Sequence, residues 1–357
     1  IGGTAGEEPW NNNAAFVKLA RNAQSVSLDL KRTEGRDLFL KLVALADVVI
    51  ENFSARAMPS MELGYEVLSE HNPSLIYVTM PGYGTYGPYK DWVAFGPTVE
   101  PMTGLSQMLG YSPQEPRNTA MALMDPIAGT TATTALLTAL REREETGCGA
   151  YVEMSLHEAG IVFNGPWIIE HQLGGKLEPR GNSHPKMSPH GVYPCLTRGL
   201  EDDADWVAIA CQEDKDWQSL LTLIGADFDP KWDLTNRQLH VVEIDEKISK
   251  WTVNLDKDAV AEQLQNVGIA AGPVASAPDM LAEPHAENRD FFVPLERQNT
   301  LVPGNPIHMK GLSSSQWTPC PPLGAHSKSI LQDWLGYTTQ QTQNLVNTGI
   351  IAECPPD

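Results

Sequence analysis

None of the five cysteines (Cys148, Cys195, Cys211, Cys320 and Cys354) stands in a CxxC pair. That absence argues against a disulfide framework or a zinc site and for a reducing compartment, expected to be the cytoplasm. The nine histidines form neither HxxxH nor HExxH, so no metal is expected. No apolar run approaches the roughly 18–20 residues that cross a bilayer, and no secretory signal is visible. Basic residues are also scarce. Lys and Arg number 25 against 45 Asp and Glu, a formal net charge of −20. Such a surface repels nucleic acid and anionic membrane, and neither is expected as a partner. The deficit is uneven: residues 1–56 hold as many Lys and Arg as Asp and Glu, whereas the acid concentrates downstream, as in Glu201-Asp202-Asp203. A phosphate-bearing ligand therefore fits best against the amino-terminal third.

With 357 residues the chain can bury two domains. Ser25–Leu30 reads as a short strand, followed by a helix opened by Thr33-Glu34-Gly35. Asp47–Glu51 and Leu75–Met80 have the short, continuous apolar character of buried strands, with a helix over Met61–Glu70 between them. This β-α-β-α-β beat predicts a parallel sheet with helices on its faces. In such sheets ligands sit beyond the carboxyl ends of the strands, which makes Asn52-Phe53-Ser54 a candidate site edge. Residues 81–101 form a Gly/Pro/aromatic loop. It lacks the GxxxxGK[ST] phosphate cradle and is not read as a dinucleotide fingerprint. Gly82, Gly84 and Gly129 are candidates for close approach of backbone to ligand.

Met121–Leu156 reads as strand, turn, helix, glycine turn and strand. Ala128, Ala132, Ala135 and Ala139 give the helix a small-residue face, and Gly147 ends it. Asp125, just before Pro126, has two compatible readings. It is an N-cap, or it is a nucleophilic carboxylate kept charged by the helix N-terminus. Beyond Glu178–Pro194, which looks like a linker, the rhythm changes. Strands at Gly191–Leu196 and Asp205–Cys211 and helices at Asp214–Ile224, Leu239–Val253 and Asp258–Val267 lead to a strand-like Gly272-Pro273-Val274. Phe291–Glu296 and Pro306–Lys310 look extended, and His326–Leu335 and Thr339–Asn347 look helical. The expected fold class is α/β, with a Rossmann-like parallel sheet in a large domain (1–180), a smaller α+β domain (181–295) and a carboxyl-terminal return to the large domain (296–357).

In order along the chain, several phrases resemble the class III CoA-transferase family, which also holds α-methylacyl-CoA racemase-like enzymes. They include Arg21-Asn22, Leu28-Asp29-Leu30-Lys31, Ala46 to Phe53, Asn72 to Tyr77, Gly82-Tyr83-Gly84, Met124-Asp125, His190 to Tyr193, Gly268 to Val274 and Pro322 to His326. The resemblance implies a CoA site contacted by Leu28, Asp29, Leu30, Lys31, Asn52, Phe53, Ser54, Ala94, Phe95, Gly96 and Pro97, with Asp125 as the nucleophile. It further implies no permanently bound cofactor, acyl-CoA and a carboxylic acid as substrates, and an interlocked homodimer or a heteromer with a homologue.

Three departures matter. Family members carry one more β-α unit upstream of Phe16. The glycine-rich flap of formyl-CoA transferases is replaced by Arg180-Gly181-Asn182-Ser183-His184-Pro185, which disfavours an oxalate/formate pair. Val93-Ala94-Phe95-Gly96 stands where racemase-type members have Gly-His-Asp, which removes a proton-handling His. The expected function is CoA transfer through an aspartyl-CoA thioester. An acyl-CoA epimerase and a non-catalytic CoA-binding subunit are the alternatives.

Overall fold

A computed structural model describes residues 8–197, 204–295, 300–311 and 317–355; the acidic triplet 201–203 and Glu296 lie outside them. The chain divides into two compact units, one of residues 1–105, 118–169 and 283–357, the other of 106–117 and 170–282.

In the first unit, β1 (Val48–Glu51), β2 (Ile76–Thr79) and β3 (Ala150–Glu153) form a parallel sheet in that order. The two-residue alternation of β2 sorts its side chains to opposite faces. Ile76 and Val78 pack on Ala132 and Ala139 of the long helix Met124–Thr146, whose alanine stripe allows close approach. Tyr77, on the other face, joins Val43 of the Thr33–Val43 helix and Leu68 of the Tyr65–His71 helix. Covered on both sides, all four β2 residues are buried. That is why the segment reads as an unbroken apolar run. Each such aliphatic side chain contributes about 1.5–3 kcal/mol by burial.

Several local expectations are corrected. No strand precedes the long helix. The segment instead hangs on two short helical turns, Gly96–Val99 and Glu100–Thr103: the Thr119 N–H donates to Glu100 Oε1 at 2.6 Å and Asn118 Nδ2 to the Pro97 carbonyl at 3.1 Å. The helix starts at Met124 with Leu123 as N-cap, so Asp125 lies inside the first turn rather than capping it. It ends as expected at Gly147 (φ 71°). Ser25–Leu30 forms no ladder, because its partners are irregular. Ser25 N–H donates to His326 Nδ1 (3.0 Å), Ser27 N–H to Ser327 Oγ (3.0 Å) and Asp29 N–H to the Ile350 carbonyl (2.9 Å). The helix expected over Met61–Glu70 is broken, since Glu62 takes a left-handed φ of 61° and helix resumes only at Tyr65. Pro306–Lys310, read as extended, joins no ladder, and the late hairpin pairs Phe292–Leu295 with Thr300–Pro303.

The second unit holds β4 (His190–Pro194), β5 (Trp206–Ala210) and β6 (Ala270–Pro273), all antiparallel. Its helices Asp214–Ile224, Val241–Thr252 and Lys257–Asn266 close a core around Trp217, Leu220, Ile244, Ile248 and Leu264. Back in the first unit, β7 (Phe292–Leu295) pairs antiparallel with β8 (Thr300–Pro303) over Val17. Among the described residues no helix is long and apolar enough to cross a membrane.

Candidate active site

Glu51, Thr79 and Glu153 are in register at the carboxyl ends of the three parallel strands. Two of them brace the loops that follow. Glu51 Oε2 accepts the Phe53 N–H at 2.7 Å, and its other oxygen takes the Tyr77 hydroxyl at 3.2 Å. Burial, then the Glu51 charge, pushes the Tyr77 phenol far above its ordinary range, so it stays a donor. Glu153 Oε1 accepts the Thr85 N–H at 2.7 Å. Gly84 stands at φ 82°, and a Cβ there would come within 2.8 Å of that Glu153 oxygen. Gly82, Gly84 and Gly87 have GxGxxG spacing after β2, but residues 88–95 are loop and no helix opens on the glycines. The context of a dinucleotide fingerprint is missing.

These loops enclose a cavity of about 460 Å³. Of the residues singled out in the sequence, Asn52, Phe53, Ser54, Gly82, Ala94, Phe95 and Asp125 line it, whereas Gly84 and Gly129 do not. Gly96 does not face the cavity but lies directly against Asp125: a Cβ at 96 would meet Asp125 Oδ2 at 1.8 Å. Pro97 holds Asn118 through its carbonyl. Leu28, Asp29, Leu30 and Lys31 are absent from the lining. Leu28 packs with Leu38, Leu331 and Ile350, Leu30 packs beside Val43 and Leu68, the Asp29 carboxylate accepts the Lys31 N–H at 3.1 Å, and Lys31 is exposed.

Sequence reasoning missed Arg56, Lys90, Asp91 and Trp92, all of which line the cavity. Arg56 clamps Asp91 through two contacts of 2.6 Å, from Nε and Nη2. The hydrogen bond from Arg56 holds the Asp91 carboxyl below its usual range. Arg56 follows the β1 carboxyl end by only five positions, which was the available signal; its pairing with Asp91 across 35 residues had none. Tyr83, Tyr89 and Trp92 form an aromatic wall, with Tyr89 and Trp92 ring centroids 4.2 Å apart. Tyr83 also leans on His157, whose Nε2 lies 3.1 Å from the Met102 carbonyl.

Asp125 is solvent-accessible at the cavity wall. Burial of part of its side chain raises its carboxyl above the ordinary Asp range, and its own backbone N–H opposes the shift. No hydrogen bond or ion pair from another residue reaches that carboxylate among the described residues. An unclaimed, half-desolvated carboxylate in the first turn of a helix is a competent oxygen nucleophile or base. Among the described residues no group of three or more His, Cys, Asp or Glu is placed to hold a metal.

Residues 4–327 match the family model for CoA-transferase family III. A succinyl-CoA–D-citramalate CoA-transferase from Chloroflexus aurantiacus is 31% identical over 90% of this chain and 80% of its own length. The succinyl-CoA–L-malate CoA-transferase beta subunit of the same organism is 29% identical, over 94% of this chain and 84% of its own. Among solved structures, a CAIB/BAIF family protein from Brucella suis matches with a TM-score of 0.83 at 26% identity, covering 93% of this chain and 88% of that one.

Proposed function

Because the chain belongs to CoA-transferase family III and is a CoA-transferase, we propose that Asp125 is its covalent nucleophile and that its substrates are dicarboxylic acids and their CoA thioesters. The observation that carries this reading is the free, cavity-facing carboxylate of Asp125. One Asp125 oxygen attacks the donor thioester carbonyl, giving a mixed anhydride and CoA thiolate. The thiolate attacks the aspartyl carbonyl, which releases the donor acid and leaves an aspartyl-CoA thioester. The acceptor carboxylate repeats the sequence in reverse: it attacks the aspartyl carbonyl and expels the thiolate, which then captures the acceptor's own carbonyl and frees Asp125. Each thioester lost is replaced by another, so neither ATP nor a metal is consumed. Partial desolvation makes the carboxylate more nucleophilic than in water.

The pantetheine arm enters along Asn52-Phe53-Ser54 and the Trp92–Phe95 wall, while Lys90 offers positive charge to the anionic parts of the substrate and Arg56 stays paired with Asp91. The dicarboxylate class rests on the names of the two relatives, both of which take succinyl-CoA. A homodimer is the proposed assembly, supported by the exposed apolar Val162 and Phe163 at the end of their helix. The beta-subunit relative makes a heteromer with a homologue the second form to test.

The test is incubation with succinyl-CoA followed by mass spectrometry of the Asp125 peptide, alongside D125A. An adduct on Asp125 and loss of transfer by about three orders of magnitude or more in D125A are expected. Near-normal turnover of D125A would sink the reading. Deuterium wash-in at the α-carbon without an acceptor acid would turn it toward an epimerase.

A further inference from the structure

Glu100 is a carboxylate with no exposed surface, in the first unit, one helical turn beyond Gly96. No ion pair to it occurs among the described residues. Burying such a group costs several kcal/mol unless its oxygens are matched, so its partners indicate why the position holds Glu. Both oxygens go to one residue. Oε1 accepts the Thr119 N–H at 2.6 Å, and Oε2 lies 2.5 Å from Thr119 Oγ1. Thr119 Oγ1 is in turn 2.6 Å from the Met121 carbonyl. Next to this clamp, Asn118 Nδ2 is tied to the Pro97 carbonyl at 3.1 Å. The stretch leading into the long helix is therefore held by residues 97 and 100, and Gly96 of the same segment abuts the Asp125 carboxylate.

We propose that Glu100 is a positioning residue for CoA transfer: by clamping Thr119 it fixes the start of the long helix and aims the Asp125 carboxylate across Gly96 into the cavity. This inference rests on Asp125 being the nucleophile. Two geometric facts carry it. The clamp takes hold six residues before Asp125, with no strand ladder in between to set the helix register. The contact between Gly96 and Asp125 also leaves no slack, since a single added carbon would overlap the carboxylate. A shift of the helix start by a fraction of an ångström thus moves the nucleophile off its line to the thioester carbon. Misplacement by about 1 Å costs roughly a hundredfold in rate.

The hydroxyl of Thr119 supplies one proton and has two oxygen neighbours, Glu100 Oε2 and the Met121 carbonyl. A side chain at 100 that accepts the Thr119 N–H and donates to its hydroxyl satisfies all three contacts. Glutamine does both.

The test compares E100A, E100Q and T119V with the intact chain and D125A, reading kcat, KM for acyl-CoA, CoA binding by calorimetry, and the rate of adduct formation on Asp125. E100A is expected to lose about a hundredfold in kcat and in adduct rate, with CoA affinity unchanged, and E100Q to recover most of it. Should E100A fail to fold, T119V carries the test: it keeps the N–H contact, drops the hydroxyl, and is expected to lower kcat with CoA affinity intact. Wild-type kcat in a folded E100A or in T119V overturns the proposal, as does an E100Q as impaired as E100A. If D125A itself retains transfer, the nucleophile assignment has failed instead, and the two failures are told apart in one experiment.

Discussion

The cavity-facing carboxylate of the first unit and the buried and half-buried carboxylates of the second are used in opposite ways. In the second unit they are spoken for: Asp216 Oδ2 accepts the N–H groups of Gln212 and Glu213 at 2.9 Å, and Asp245 takes the Tyr193 hydroxyl at 2.7 Å. Lys257, buried, bonds Asp205 at 2.8 Å and Asp279 at 2.6 Å. In the first unit Glu51, Glu153 and Glu100 are likewise engaged, each holding a loop. Asp125 stands apart from them, in a cavity, with no claim on it from another of the described residues. A satisfied carboxylate stabilises the fold, whereas one left half-desolvated keeps its lone pairs for a substrate. On the proposed mechanism the difference separates residues whose loss weakens the protein from the one whose loss stops transfer.

That separation can be tested by substitution. The largest effect is expected where packing is densest. Trp217 is fully buried, stacks on Trp232 at an interplanar angle of 7°, and donates its Nε1–H to the Asp229 carbonyl. W217A should cost about 3–5 kcal/mol in chemical denaturation; a loss below about 1 kcal/mol would mean the core is looser than its burial implies. Next comes G96A, which places a methyl on the Asp125 carboxylate. A drop of about a hundredfold in kcat is expected, together with a stability loss of about 1–3 kcal/mol, because the methyl also crowds the Ala122 Cβ at 2.8 Å; a folded G96A that keeps its kcat would break the distinction. Third, the acid limb of kcat/KM should lie above the ordinary Asp value of about 3.9, because burial raises the Asp125 carboxyl. A limb at or below that value would argue against Asp125 as the titrating group.

The smallest effect concerns stability. A carboxyl whose folded pKa is raised binds protons more readily in the native state. It therefore opposes folding above its unfolded pKa, and that opposition disappears as pH falls below it. D125N should melt slightly higher than the natural chain at pH 7, with the gain vanishing below about pH 4. A lower melting temperature for D125N at pH 7 would show that the carboxylate is stabilising after all.

Much of this was legible in the chain. Asp214–Ile224 and Thr339–Asn347 were delimited to the residue, because apolar spacing and capping side chains are local signals. The strand Ile76–Thr79 stood out because burial on both faces leaves an unbroken apolar run, whereas Val48–Glu51 carries a similar run at the sheet edge, where Ile50 is exposed rather than buried as its composition suggested. Asn52, Phe53 and Ser54 followed from the rule that ligands sit beyond strand carboxyl ends, whereas the helix start left Asp125 open between cap and nucleophile and the family resemblance singled it out. The two failed strands share a cause. Ser25–Leu30 and the segment before Asp125 are extended or irregular backbone with strand-like composition, and their hydrogen bonds go to side chains and carbonyls far along the chain. Composition cannot register such partners.

Sequence alone therefore determined the α/β rhythm, the buried central strand and the alanine face of the long helix, since each depends on periodicity or on a few adjacent residues. Tertiary structure decided what surrounds Asp125: Gly96 pressed against its oxygen, Glu100 gripping Thr119, and Arg56 paired with Asp91. Those contacts join residues 19 to 35 positions apart. Only the path of the folded chain sets distances of that kind.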